Sequence, residues 1–122
     1  MLSIRQEQMD VLSAYTRHQF EQRMIKHLRE KFPDRTKDLP DQRIHLVVQD
    51  SMRKAKGYDI EYEDDIRRFI EYLVIYGARL DTREETRWIG DILRRDDLNG
   101  TAKMDLIDSR ELQVLRRQKW VD

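Results

Sequence analysis

The sequence predicts an all-α fold, a single-domain bundle of about five helices with a long N-terminal helix. Apolar residues recur at three- and four-residue spacings along most of the chain, and no useful length shows the alternation expected of a half-buried strand. With 122 residues, of which 39% are apolar, the chain can bury one modest core. Residues 1–122 are therefore predicted to form one helical domain.

The first helix is predicted over residues 3–32. A capping box of Ser3 and Gln6 marks its start, and Pro33 ends it. An uninterrupted helix of this length would span about 40–45 Å, which exceeds the width of a small domain. One end is therefore expected to project or to pack on a second copy of the chain. The apolar face of this helix comprises Met9, Leu12, Phe20, Met24, Leu28 and Phe32.

The middle of the chain predicts a loop over residues 34–39, followed by two helices. The second helix begins at Pro40 and ends before Gly57, which is expected to take a left-handed conformation. The third helix starts near Glu61, where a run of acidic residues complements the helix dipole, and Gly77 terminates it. The first helix is expected to pack on both.

Two further helices are predicted in the last third of the chain. A capping box over residues 82–85 opens a short helix of about three turns. A turn at residues 96–100 follows, in which Gly100 is expected to adopt a positive φ angle. The fifth helix covers residues 101–117, where Met104, Ile107, Leu112 and Leu115 are expected on its apolar face, and residues 116–122 are expected to fray.

Composition excludes several function classes. The 24 basic residues are matched by 24 acidic ones, so no net charge attracts the protein to nucleic acid or to a membrane surface. The absence of cysteine excludes disulfides and thiolate chemistry. No secretion signal and no membrane-spanning run is recognisable, and the expected location is the cytoplasm.

The sequence predicts no catalytic, cofactor or metal site. His18 and His27 are nine residues apart on one predicted helix, so they face apart and cannot share a metal. Setting Gly100 at the glycine position of a calcium loop puts Arg95 at the first ligand position, so that loop fails. No nucleophile, acid and base converge in the sequence, and a non-enzymatic protein is predicted.

Aromatic residues supply the candidates for partner binding. Tyrosine and tryptophan are favoured at protein interfaces because they combine a large area with a polar tip. Trp88 is expected to be buried, whereas Tyr62 and Trp120 are expected to be exposed. The candidate binding residues are Tyr58, Tyr62, Tyr76, Arg79, Trp88 and Trp120.

A pattern that covers nearly the whole chain is formed by residues 4–9, Phe20, 23–29, 32–33, Arg53, Ala55, 57–58, Ile60, 65–66, 69–70, Leu73, Gly77, Trp88, 92–93 and 100–104. In this pattern the chain resembles a family of small helical bacterial proteins encoded beside effectors and spike proteins of the type VI secretion system. It departs from the family pattern at residues 77–81, where a Gly-Pro-Asp-Phe-Asp type loop is expected, and at Arg87, where a proline is expected before the tryptophan.

The resemblance implies an accessory role that needs no catalytic residue. The partner would be a secreted effector or spike component that the protein stabilises and loads, or a toxin that it neutralises as an immunity protein. An alternative function from a different class, independent of the resemblance, is a nucleic-acid-binding regulator in which the second and third helices form a helix-turn-helix. The acidic start of the third helix, with Glu61, Glu63, Asp64 and Asp65, would repel phosphates and disfavours that alternative.

Overall fold

The protein is described by a computed structural model over residues 8–121, with side chains described for residues 8, 9 and 11–117. Within this part of the chain the backbone is helical throughout apart from its connections and one isolated bridge between Gln8 and Tyr62. The all-α prediction is confirmed. The elements are a 3₁₀ turn, Met9–Val11, and the helices α1 Ala14–Lys31, α2 Pro33–Thr36, α3 Asp41–Gly57, α4 Glu63–Tyr76, α5 Arg87–Leu93 and α6 Gly100–Val121.

The prediction of one uninterrupted first helix is wrong. Leu12 and Ser13 are extended, and the Ser13 hydroxyl accepts a 3.1 Å hydrogen bond from the Thr16 amide, which caps a new helix from Ala14. Serine favours this capping position because its side chain satisfies a free amide of the first turn. The predicted start at Ser3 lies outside the described residues. With 18 residues α1 is about 27 Å long, so the reason to expect a projecting N-terminal rod is lost.

The predicted loop over residues 34–39 is partly helical. Pro33 is the first residue of the short helix α2, a position where its missing N–H costs nothing. The Arg29 guanidinium secures the connection by donating to the carbonyls of Thr36 at 2.9 Å and Leu39 at 2.6 Å. It also pairs with Asp41 at the start of α3.

The end of α3 differs from the prediction. Gly57 is the last helical residue, and the left-handed conformation falls on Asp59, with φ 64°. The Ile60 amide donates to the Ala55 carbonyl at 2.9 Å and the Asp59 amide to the Lys56 carbonyl at 3.1 Å. These two bonds form a Schellman motif, in which aspartate replaces the usual glycine.

Helix α4 begins two residues later than predicted and ends where predicted. Tyr62 is its N-cap, and its first turn carries Glu63, Asp64 and Asp65, as the dipole argument requires. Gly77 ends the helix with φ 101°, a conformation that L residues rarely adopt.

The predicted capping box over residues 82–85 is wrong. The helix it should open, α5, begins at Arg87 and has seven residues rather than three turns. The Thr86 hydroxyl donates to the Leu80 carbonyl at 2.6 Å instead of capping the helix. The side chain therefore tethers the preceding loop.

The predicted positive φ of Gly100 is also wrong. Among the described glycines Gly77 has a positive φ, whereas Gly100 is the first residue of α6. A Cβ at Gly100 would lie 2.2 Å from the carbonyl oxygen of Asp59 and 2.7 Å from the Cα of Ile60. Glycine is required there by a close approach between α6 and the turn after α3. As for the end predicted to fray, α6 is helical to Val121, and Asp122 lies outside the described residues.

The buried apolar side chains of the described residues form one cluster. As predicted, α1 packs on the helices that follow it, α3 and α4, and α6 packs on α4 and α5. None of the described helices has the length and apolar character that crossing a bilayer requires. The largest fully buried side chains are Phe69, Leu28, Ile44, Ile60, Ile66, Ile70, Leu80, Ile89, Leu93, Met104, Ile107 and Val48.

Candidate partner-binding surface

Three of the predicted binding residues make contacts inside the protein. Tyr58 and Tyr76 are half-buried and donate their hydroxyl protons to carboxylates, and Trp88 packs on the edge of the core. These internal contacts give each of the three residues a structural role that requires no binding partner.

The other three candidates have different surroundings. Tyr62 is exposed at the start of α4, as predicted, and Arg79 is exposed in the loop after α4. The Trp120 side chain lies outside the described side chains. The role of all six residues in binding stays a prediction.

Asp81 anchors the loop between α4 and α5. Its side chain is buried, and it accepts hydrogen bonds from the Tyr58 hydroxyl at 2.5 Å and from Lys54 at 2.9 Å. Burial and this contact raise the pKa of Tyr58 to about 12. Burial acts to raise the pKa of Asp81, but the bonds from Tyr58 and Lys54 outweigh it and hold that pKa below its ordinary value.

Replacing Asp81 by asparagine is expected to lower the stability by about 1–3 kcal/mol at pH 7, because the amide removes the acceptor charge from two hydrogen bonds and leaves one acceptor oxygen in place of two. The pKa of Asp81 is lower in the folded state, so its contribution is complete above the unfolded-state pKa near 3.8 and is lost as the pH falls below it. The difference between variant and parent should therefore shrink below about pH 4. Urea unfolding from pH 7 to pH 3 measures it.

The matched control for this prediction is Asp38→Asn, since Asp38 is exposed in the connection before α3. This control should reproduce the pH dependence of the parent. A constant stability difference between Asp81→Asn and the parent across the range would contradict the assigned role of the Asp81 charge.

Helices α4 and α6 run parallel along a ladder of polar contacts. The ladder begins at the guanidinium of Arg68. Burial acts to lower the pKa of that group, but its bonds to three aspartates outweigh burial and raise the pKa. The contacts between the helices advance in the same direction on both: Arg68 bonds Asp105 and Asp108, Tyr72 bonds Asp108 and Glu111, and Tyr76 bonds Glu111. Within α4, Arg68 also bonds Asp65.

This ladder engages acidic side chains of α6. Burial, followed by hydrogen bonds to Asp108 and Glu111, raises the pKa of Tyr72 well above its usual value. Burial and the bond to Glu111 raise the pKa of Tyr76 to about 12. Both hydroxyls therefore remain proton donors at neutral pH, and they hold α6 against α4.

The C-terminal part of α6 extends beyond this ladder. Glu111 lies opposite Tyr76, the last residue of α4, so α6 continues for about 15 Å from residue 112 to Val121 past the end of its neighbour. All side chains over residues 112–117 are exposed. We call residues 112–121 the projecting segment.

The projecting segment is apolar and basic. Leu112 is 56% exposed and Leu115, three residues later and on the same side of the helix, is 51% exposed. Arg116 is exposed beside them, Arg117 is exposed on the opposite side of the helix, and residues 112–121 contain no acidic residue. Large apolar side chains displayed on an unpacked helix are typical of a surface that binds another protein.

The buried ionisable groups have structural partners. Asp65 pairs with Arg68 and also accepts a short hydrogen bond from the Thr101 hydroxyl. Lys103 donates to the Tyr58 carbonyl at 2.8 Å. These groups join helices and loops to one another.

Glu71 illustrates the same use of a buried carboxylate. It contacts His27, Lys31 and Arg67. Burial acts to raise its pKa, but its bonds to His27 and Lys31 keep the pKa below its ordinary value. The cluster joins α1 to α4. This structural role explains the buried Glu71 carboxylate without assigning it a catalytic role.

One group of potential metal ligands is present among the described residues. His18, Glu21 and His45 place one ligand atom each within 4.8 Å of one another. Sequence reasoning considered His18 with His27 and missed His45, because His45 comes from α3. The one available signal was the three-residue step from His18 to Glu21, which puts both on one side of α1.

Sequence reasoning also missed the projecting segment. Residues Leu112 and Leu115 were expected on the buried face of the fifth helix, where their spacing fits a core stripe. Their exposure results from the offset between α6 and α4. The sequence of one helix does not indicate where its neighbour ends.

Comparison of the chain with known protein families, with curated proteins and with solved structures produced no match.

Proposed function

We propose that this chain is a non-enzymatic accessory protein that binds another protein through the projecting segment of α6. The observation that supports the proposal is the display of Leu112 and Leu115 on a helix end that no described element covers. A helix with an exposed apolar side binds partners by laying that side into an apolar groove.

The charges of the segment indicate the complementary partner. Arg116 lies one turn after Leu112, at the edge of the side that carries the two leucines, so the groove that fits them has an acidic rim. Rim charges of this kind increase the rate of association and exclude partners of like charge.

The resemblance to proteins encoded beside type VI secretion effectors supplies the proposed partner class. We infer a cytoplasmic adaptor or chaperone for a secreted effector or a spike component. An immunity protein that neutralises a toxin is the second candidate from the same resemblance.

The helix-turn-helix alternative has less support. Its recognition helix would be α4, whose first turn carries Glu63, Asp64 and Asp65. Phosphates are repelled by such a surface. A gel shift at low salt should give no retarded band, and tight, salt-sensitive binding would favour the regulator instead.

Replacing Leu115 by glutamate is expected to weaken partner binding about tenfold or more, because it puts a charge into an apolar contact opposite acidic rim residues. The partner is first isolated from the native cells by co-purification with the protein, whose C-terminus carries no tag. Its affinity for the parent and for the variant is then measured by titration calorimetry.

The matched control is Leu46→Glu. Leu46 lies on α3 and has the same exposure as Leu115, 51%, so the chemical change and the effect on solubility are equal. We expect this control to bind with the affinity of the parent. Equal binding by Leu115→Glu, or a loss confined to Leu46→Glu, would overturn the assignment of the projecting segment.

Two readouts in the producing cell separate the adaptor from the immunity protein. Deleting the protein should abolish export of an effector that depends on an adaptor, and should make the cell sensitive to a toxin that depends on an immunity protein. An effector that is harmless in the deletion strain and is no longer exported identifies the adaptor.

A further inference from the structure

Glu21 joins two histidines from different helices. Its Oε1 atom lies 2.6 Å from Nε2 of His45 on α3 and 3.8 Å from Nδ1 of His18, one turn earlier on α1. The two imidazole rings meet edge to face, with their centroids 6.0 Å apart. Two nitrogen ligands and one carboxylate therefore converge on one point between α1 and α3.

A second histidine–carboxylate pair shows what a purely structural contact looks like in this chain. His27 on α1 contacts Glu71 on α4 at 2.5 Å, but Lys31 and Arg67 also pair with that carboxylate, at 3.0 Å and 3.1 Å. Two permanent cations neutralise Glu71 and would repel a metal ion. The groups that contact Glu21 are imidazoles, which are neutral metal ligands once deprotonated.

The three ligand atoms around Glu21 lie within 4.8 Å of one another, so side-chain rotation can bring them onto one metal ion. Zinc bonds to histidine nitrogen and carboxylate oxygen at about 2.0–2.2 Å, which in a tetrahedron separates the ligand atoms by about 3.4 Å. The distances of 2.6 Å and 3.8 Å lie on either side of that value. His18 is 60% exposed, so its side chain can rotate by the small amount needed.

We propose that His18, Glu21 and His45 form a binding site for a divalent transition metal, with Zn²⁺ as the fitting ion. Two histidines and one glutamate are a known zinc ligand set and leave a fourth position for water or for a group from a partner. The exposure of His18 places that position at the surface. Bound metal would clamp α1 to α3, and this inference is independent of the proposed role of α6.

The test is a titration of the full chain, made without a polyhistidine tag, with Zn²⁺ alone. We expect one ion bound per chain and a rise in the melting temperature at about 100 µM Zn²⁺, because an ion that binds the folded state stabilises it. His18→Ala and His45→Ala should each weaken binding about tenfold or more and abolish the rise in melting temperature. His18→Ala keeps the experiment independent of folding, because the side chain is largely exposed.

The matched control is His27→Ala, which removes a histidine that also contacts a glutamate across a helix pair. We expect it to bind Zn²⁺ with the affinity of the parent. The proposal is overturned if the parent does not bind Zn²⁺ under these conditions, or if His18→Ala binds as tightly as the parent. Equal loss in His27→Ala would likewise show that binding is not located at Glu21.

Discussion

Replacing Arg68 by methionine is expected to lower the free energy of unfolding by about 3–5 kcal/mol, because the change breaks a buried ion pair and leaves one charge behind. Asp65 is fully buried, and its carboxylate accepts a 2.6 Å bond from Arg68. Without the guanidinium its remaining described partner is the Thr101 hydroxyl. Methionine retains most of the apolar stem, so the loss reports chiefly on charge.

Arg68 also bonds two aspartates of α6, Asp105 at 2.9 Å and Asp108 at 2.8 Å. The same substitution therefore loosens the attachment of α6 to α4. Urea denaturation at neutral pH measures the change in stability.

Two further variants test the explanation. Adding Asp65→Asn to Arg68→Met should recover part of the lost stability, since it removes the uncompensated charge. Arg95→Met removes an exposed guanidinium that pairs with Asp97, and it should leave stability unchanged. A loss in the double variant as large as in Arg68→Met alone would show that packing, not the buried charge, dominates.

Replacing Gly100 by alanine is expected to cost about 2–3 kcal/mol, although alanine is a better helix former than glycine. The added Cβ would approach the Asp59 carbonyl oxygen to 2.2 Å, and no side-chain rotation relieves the contact, because the backbone fixes the positions of both atoms. Either the start of α6 or the Schellman turn after α3 must shift. Thermal unfolding and urea denaturation both measure the loss.

Gly57→Ala is the matched control, because the same substitution is made at a helical glycine with open space around its Cβ position. It should stabilise the protein by about 0.4–1 kcal/mol through the reduced entropy of the unfolded chain. The two substitutions are thus expected to have opposite signs. A neutral or stabilising effect of Gly100→Ala would contradict the close approach of α6 to Asp59.

Local signals predicted much of the helical architecture. The apolar stripe of α4 and its termination at Gly77 followed from sequence, because periodicity and the freedom of glycine at positive φ act within one element. The same signals failed where a segment can adopt either of two local conformations. Ser13 caps a helix where an unbroken stripe was predicted, and Asp59 takes the left-handed position next to an available glycine.

The surfaces to which we assign function depend on contacts between elements that are distant in sequence. His45 is brought to His18 and Glu21 by the packing of α3 on α1. Leu112 and Leu115 have the spacing of core residues, and only the position at which α4 ends leaves them exposed. Sequence periodicity identifies the side of a helix that is apolar but does not reveal whether a neighbour covers it.

By itself, the sequence determined that the chain is helical, where most helices end and which side chains are apolar, since these properties arise within a few turns of backbone. The tertiary structure alone decided that α6 runs parallel to α4 and extends past it, that Gly100 touches the turn at Asp59, and that two histidines share Glu21. Each of these depends on the offset and crossing of packed helices, which the collective fit of the core sets.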